Sequence, residues 1–135
     1  MKRNKYLLDT NICIALLRGG NRNVATRLIE AGEGNCSLSV ITVYELMFGA
    51  YHSQHESREV PKVRLLMEHF PIIPLLDSAE EYAILKTRLR AAGTPIDDFD
   101  LMIAATALTH NLVLVTDNTK HFQRITGLRL ENWIR

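Results

Sequence analysis

Leu112-Val113-Leu114-Val115-Thr116 runs straight into Asp117, and Tyr6-Leu7-Leu8 runs in the same way into Asp9. A short, wholly apolar, β-branched run reads as a strand buried on both faces, the pattern of a parallel sheet. An aspartate directly after such a strand sits at its carboxyl end, the edge at which open parallel sheets bind ligands. Outward from these two runs, strand and helix patterns alternate. Helices are expected at Asn11 to Arg18, stopping at Gly19-Gly20, and around Val24 to Ile29, ending near Gly32. Cys36 to Ile41, Ile72 to Leu76 and Leu128 to Leu130 supply three more strand candidates, and Val63 to Phe70 is helical in pattern. Polar His52 to Pro61 reads as a loop or helix connection, Ser78 with Glu81 as the cap of a helix to Ala92, and Leu101 to Leu108 as a buried helix. The expected fold class is α/β, with a central, largely parallel sheet flanked by helices, in a single domain covering residues 1–135.

Two further acids fall near the same edge. Glu45 lies three residues after Thr42, a capping-box spacing that opens a helix through Met47 toward Tyr51, and Asp100 falls in the first turn of the apolar helix. Each acid has a local explanation: Glu45 as partner of Thr42, Asp100 as an acid favoured at a helix start, Asp9 and Asp117 as N-caps. Taken together, four carboxylates at one sheet edge point to a site. Such convergence is costly unless a cation neutralises it, and hard oxygen donors suit Mg²⁺, with Mn²⁺ as a substitute. That chemistry belongs to phosphodiester hydrolysis.

Composition is compatible with this reading. Nearly half of the 135 residues are apolar, enough for a core without disulfides, and Cys13 and Cys36 lack metal or redox spacing. Reduced, cytoplasmic chemistry is expected. The basic start, Met1 to Lys5, is followed by too few apolar residues for a signal peptide or membrane span. Net charge is +1, but setting aside the four site acids leaves 16 basic against 11 acidic residues, which permits phosphate binding without demonstrating it. Asn11 and Thr116 are placed to orient carboxylates. Lys120, Arg124, Arg18 and His121 are candidate phosphate contacts that solvent exposure explains equally well, and His52 with His55 reads as a surface pair.

The chain carries the marks of a known family. Tyr6-Leu-Leu-Asp-Thr-Asn11, Ser39-Val-Ile-Thr-Val-Tyr-Glu-Leu-Met-Phe-Gly49 and Gly93-Thr-Pro-Ile-Asp-Asp-Phe-Asp-Leu-Met-Ile-Ala-Ala105 resemble three PIN-domain motifs. Leu114-Val-Thr-Asp-Asn118, with His121-Phe122 and Glu131-Asn-Trp133, resembles the C-terminal part of VapC-type toxins. The resemblance implies a PIN-like three-layer fold and a Mg²⁺-dependent RNA endonuclease, the toxin of a toxin-antitoxin pair. It also implies inhibition by a VapB-like antitoxin and a homodimer, and it makes tRNA, including the initiator anticodon stem-loop, a candidate substrate. Asp9 and Asp100 would be the principal metal ligands, Glu45 would complete the site, and Asp117 matches a fourth acidic position that some members fill with Asn. The motif register selects Asp100, leaving Asp97 or Asp98 as the helix N-cap.

Three other readings compete. An aspartate-nucleophile phosphatase wants a second acid where Asn11 stands, and a receiver-like domain wants an acidic pair that is absent. A catalytically inactive PIN-like module binding RNA or protein is opposed by acids at all four positions.

Overall fold

The computed structural model describes residues 5–135, so most of the basic N-terminal segment read above lies outside the described residues. Five short strands form the sheet: β1 (Tyr6–Leu8), β2 (Cys36–Ser39), β3 (Ile72–Ile73), β4 (Val113–Val115) and β5 (Leu130–Glu131). All pair in parallel in the order β3-β2-β1-β4-β5, with Leu7 opposite both Ser37 and Leu114. The chain lays β1, β2 and β3 down in one direction and then returns to place β4 on the other flank of β1. The β1/β4 junction is therefore the point where the strand order reverses, and its carboxyl edge is the expected ligand crevice.

Side-chain alternation along the strands divides the core in two. Leu7 and Leu114 face one cluster with Leu85, Leu89, Leu101 and Ile103, while Leu8, Leu38 and Val115 face another with Ile12, Val24, Leu46 and Trp133. Both faces are thus covered, which is why β1 and β4 are apolar throughout; β2 alternates, but its Ser37 and Ser39 are buried and hydrogen-bonded. Helices α1 (Thr10–Arg18), α2 (Arg22–Ala31), α3 (Val40–His52) and α4 (Glu56–His69) supply the second cluster. Helices α5 (Ala79–Ala91) and α6 (Asp98–Thr109), with the short α7 (Thr119–Phe122), supply most of the first.

Several boundaries differ from the sequence reading. β2 stops at Ser39 because that residue caps α3: its Oγ accepts the Thr42 N–H at 3.0 Å. Thr42 is therefore inside the helix, no capping box with Glu45 forms, and Glu45 lies in the second turn. The polar stretch read as a loop is mostly helix, since α3 reaches His52, α4 opens at Glu56, and Pro61 is accommodated inside α4. Its buried stripe of Val60, Val63 and Leu66 holds the helix in place despite the hydrogen bond that the proline forfeits. β3 ends at Ile73, followed by a 3₁₀ turn at Leu76–Ser78. Ser78 precedes α5 but makes no side-chain cap; its Oγ donates back to the Leu75 carbonyl at 2.6 Å. At the start of α6 the cap is Asp97 and not Asp98.

Candidate active site

Asp9 caps α1 at the carboxyl end of β1 and is 6% exposed. The Thr10 N–H donates to its Oδ1 and the Thr116 hydroxyl to its Oδ2, each at 2.8 Å. Burial pushes this carboxyl above the usual range, the two hydrogen bonds oppose that rise, and the charges of Glu45 and Asp117 add to it.

Glu45 is held from a distance. The Thr10 hydroxyl donates to Glu45 Oε1 at 2.6 Å, across 35 positions of sequence. With its proton committed there, Thr10 Oγ1 accepts from Thr42 Oγ1 at 3.1 Å, and Thr42 accepts in turn from Ser39 Oγ at 3.1 Å. The chain of hydroxyls Ser39, Thr42, Thr10 thus points every proton toward the carboxylate. Asp117 directly follows β4 and Thr116, and its Oδ1 accepts from Asn11 Nδ2 at 3.1 Å. Both polar neighbours named from sequence, Asn11 and Thr116, orient a site carboxylate.

Asp100 comes from the first turn of α6. Its carboxyl is pushed up to about 7, chiefly by burial, then by the hydrogen bond and charge of Asp97, and further by the charges of Asp9 and Glu45. The charges of Asp9 and Glu45 act on Asp100, and those of Glu45 and Asp117 act on Asp9. Hydrogen bonds from Thr10 and Asn11 hold Glu45 and Asp117 beside Asp9 at the β1/β4 crevice, and Asp100 lies near enough to be raised by Asp9 and Glu45.

The PIN domain pattern matches residues 6–128. This chain belongs to the PIN domain family. Ribonuclease VapC1 of Haemophilus influenzae is 36% identical over 132 residues, covering 96% of this chain and 98% of that protein. The tRNA(fMet)-specific endonuclease VapC of Shigella flexneri is 32% identical over 130 residues, again covering 96% and 98%. Among solved structures, DNA-bound VapBC from Salmonella typhimurium superposes with a TM-score of 0.90 at 30% identity, covering 96% of this chain and 98% of that one.

The PIN domain also brings to the acids a histidine that the sequence reading did not assign to them. His121 Nε2 lies 2.9 Å from Asp100 Oδ2 and 3.8 Å from Asp97 Oδ1, so the histidine faces the acids rather than solvent. Arg124, one of the candidate phosphate contacts, donates to the Pro95 carbonyl at 3.0 Å and meets His121 Nδ1 at 2.8 Å. Asp97, Asp100 and His121 bring three ligand-type atoms within 4.8 Å of one another. The spacing of His121, four positions beyond Asp117 at the head of a short helix, was its one sequence signal. Asp98 turns away to Lys86 Nζ and the Tyr82 hydroxyl, each at 2.8 Å, and these hold its carboxyl below the usual range. His52 stacks on Phe48, while His55 and Arg18 line a groove beside Glu45. Both cysteines are buried, which pushes their thiols up, Cys36 to about 11, so neither is a nucleophile at neutral pH.

The donor set fits a hard divalent cation. The four acids offer carboxylate oxygens, and the raised Asp9 and Asp100 carboxyls are those that a cation would return to their charged form.

Proposed function

We propose that this PIN-domain protein is a metal-dependent endoribonuclease acting as a VapC-type toxin, with Asp9, Glu45, Asp100 and Asp117 holding Mg²⁺ or Mn²⁺. The observation that carries the reading is the convergence of the four acids at the switch point of the sheet, with Asp100 pushed up to about 7. A bound divalent ion supplies Lewis-acid polarisation of the scissile phosphate and a water of lowered pKa. The chain's own residues set up that chemistry. Thr10 and Thr116 fix both oxygens of Asp9 from the two neighbouring strand ends, Thr10 also fixes Glu45, and Asn11 fixes Asp117. These contacts fix the carboxylates before substrate arrives, so little reorganisation remains for the reaction itself.

The expected partners follow from the same surface. A cavity of about 330 Å³ beside Glu45, lined by Ile14, Leu17, Leu46 and Val63 and rimmed by Arg18 and Lys62, suits the apolar face of an inhibitory VapB-like segment. A basic side chain on that segment would reach the carboxylates. Tyr44, Phe48, Tyr51 and Leu76 are exposed apolar side chains of the kind a homodimer covers. Among the described residues no helix is long and apolar enough to cross a membrane, and a cytoplasmic location accords with RNA, tRNA included, as substrate. We read the chain as one PIN domain.

Incubating the purified chain with total tRNA in Mg²⁺ or Mn²⁺ tests the reading. Cleavage that EDTA and Asp9→Asn both abolish is expected. Harmless expression without a partner, together with metal-independent RNA binding and no cleavage, would overturn it in favour of a binding module.

A further inference from the structure

Phe99 stands between two acids with different tasks. It occupies the first turn of α6, after Asp98, which engages Lys86 Nζ and the Tyr82 hydroxyl of α5, and before Asp100 of the crevice. Successive residues of a helix turn through about 100°, so the ring projects on the arc between the α5 side and the crevice. It is 50% exposed. Among the described residues it is the one large apolar side chain of α6 left in that state: Leu101 and Ile103 are buried, and Met102 and Leu108 pack half-buried against the core. An exposed ring forgoes the burial that stabilises the rest of the helix, and the cap of α6 is Asp97, so neither packing nor capping accounts for Phe99.

We infer that Phe99 is a stacking platform for an unpaired base beside the scissile phosphate, and thereby a residue that selects single-stranded RNA. The inference rests on the nuclease reading and adds to it what the substrate must offer next to the cleaved bond. With the phosphate on a cation held by Asp100, the Cα of Phe99 is about 3.8 Å from that of the ligand, so the flanking nucleotide is the part of the substrate within reach of the ring. The charges around the ring suit that occupant, since Lys86 pairs with Asp98 and the cation would neutralise Asp100. A protein partner fits less well. Docked protein faces are contiguous apolar patches depleted of charge at their centre, whereas this ring stands alone among Asp97, Asp98 and Asp100. A base needs one π face to stack on, and every base has such a face of its own. A base inside a duplex is already stacked on its neighbours and must be unstacked before it can use the ring.

A double-mutant cycle between protein and RNA, run on the full chain, decides the matter. The probe is a single-stranded oligoribonucleotide built around a bond that the wild-type chain cuts in total tRNA with Mn²⁺, together with two versions in which the base on one or the other side of that bond is replaced by an abasic ribose. Phe99→Ala is expected to lower kcat/KM on the intact strand about 5–150-fold, the effect of losing one base stack. Phe99→Leu, which keeps apolar bulk without a π face, should lose most of the same factor, and Phe99→Tyr should restore it. One of the abasic strands should cost the wild type a similar factor and cost Phe99→Ala almost nothing further. Annealing the intact strand to its complement should slow the wild type more than it slows Phe99→Ala, and Mn²⁺ affinity should be the same in every variant. Losses that add across the cycle, an unchanged preference for the single strand in Phe99→Ala, or wild-type kcat/KM in Phe99→Leu would each overturn the inference. So would Phe99→Ala that cuts RNA normally but dissociates a dimer in light scattering, the behaviour of a protein contact. A wild-type chain that cuts no RNA would overturn the nuclease reading and this inference with it.

Discussion

Asp100→Asn separates what the acid contributes to chemistry from what it costs the fold. With its carboxyl pushed up to about 7 from 3.8, Asp100 binds its proton more tightly in the folded state than in the unfolded one. Over that interval the native state holds more protons, so the sign of the linkage is negative: metal-free stability falls as pH rises, and the full penalty is present above about pH 7. A shift of about three units corresponds to ~4 kcal/mol at ~1.4 kcal/mol per unit. The side chain is 28% exposed, and solvent screening brings the expected penalty nearer ~1–2 kcal/mol. For a chain of this size that is roughly 3–8 °C in the unfolding midpoint. Thermal unfolding in EDTA between about pH 5 and about pH 8 reads it directly. The variant should exceed the wild type by a margin that widens from the acid end, where part of the penalty is already present, to the alkaline end, where all of it is. Adding Mn²⁺ at the alkaline end should raise the wild type far more than the variant, which should also lose metal-dependent cleavage. Comparing the two proteins cancels the titration of other groups. A difference that stays flat with pH, or a variant less stable at the alkaline end, would refute the argument.

Thr116→Val removes the hydroxyl serving buried Asp9 and should cost about 1–3 kcal/mol in a denaturant titration, with Thr116→Ser restoring most of it. Ser39→Ala deletes the α3 cap and the head of the hydroxyl chain; about 1 kcal/mol of stability should go, measured by chemical unfolding, together with part of the cleavage rate through Glu45. Asp98→Asn should keep most RNA cleavage, because Asp98 engages Lys86 and Tyr82 on an exposed surface; loss of cleavage in a folded Asp98→Asn would mean that the wrong carboxylate was assigned to the site.

Strands β1 and β4 were legible because burial on both faces leaves an apolar run, while β2, β3 and β5 were legible only in outline, since β2 carries two serines, Ile72 of β3 is exposed and β5 is half-buried. Asp9 and Asp117 were legible as neighbours for the same reason: each directly follows its strand, and parallel pairing of β1 with β4 sets the two strand ends side by side. The start of α4 was hidden because Glu56 to Val60 buries a single side chain before Pro61 interrupts the pattern. Glu45 lies beside Thr10 and Asp9, but not through the local contact that the sequence suggested. Its anchor is Thr10, from another helix, whereas the Thr42 spacing that suggested a capping box belongs to the Ser39 cap one turn earlier. His121 was legible as a polar residue near the site but not as the neighbour of Asp100, since a contact between α7 and α6 leaves no periodic trace in either segment.

Gathering four acids costs stability, and the structure shows where the offset comes from. Between Thr116 and His121 a short segment touches three parts of the cluster: Thr116 holds Asp9, Asp117 meets Asn11, and His121 faces Asp100. That segment is pinned at both ends by the core, with Val115 in one hydrophobic cluster and Phe122 in the other. Its backbone is closed internally as well, because the Asn118 N–H donates to the same Thr116 hydroxyl that serves Asp9. The acids are therefore held against their repulsion by packing on opposite faces of the sheet. A segment anchored in this way cannot relax one carboxylate without shifting the others, so the repulsion within the cluster is not relieved by local movement.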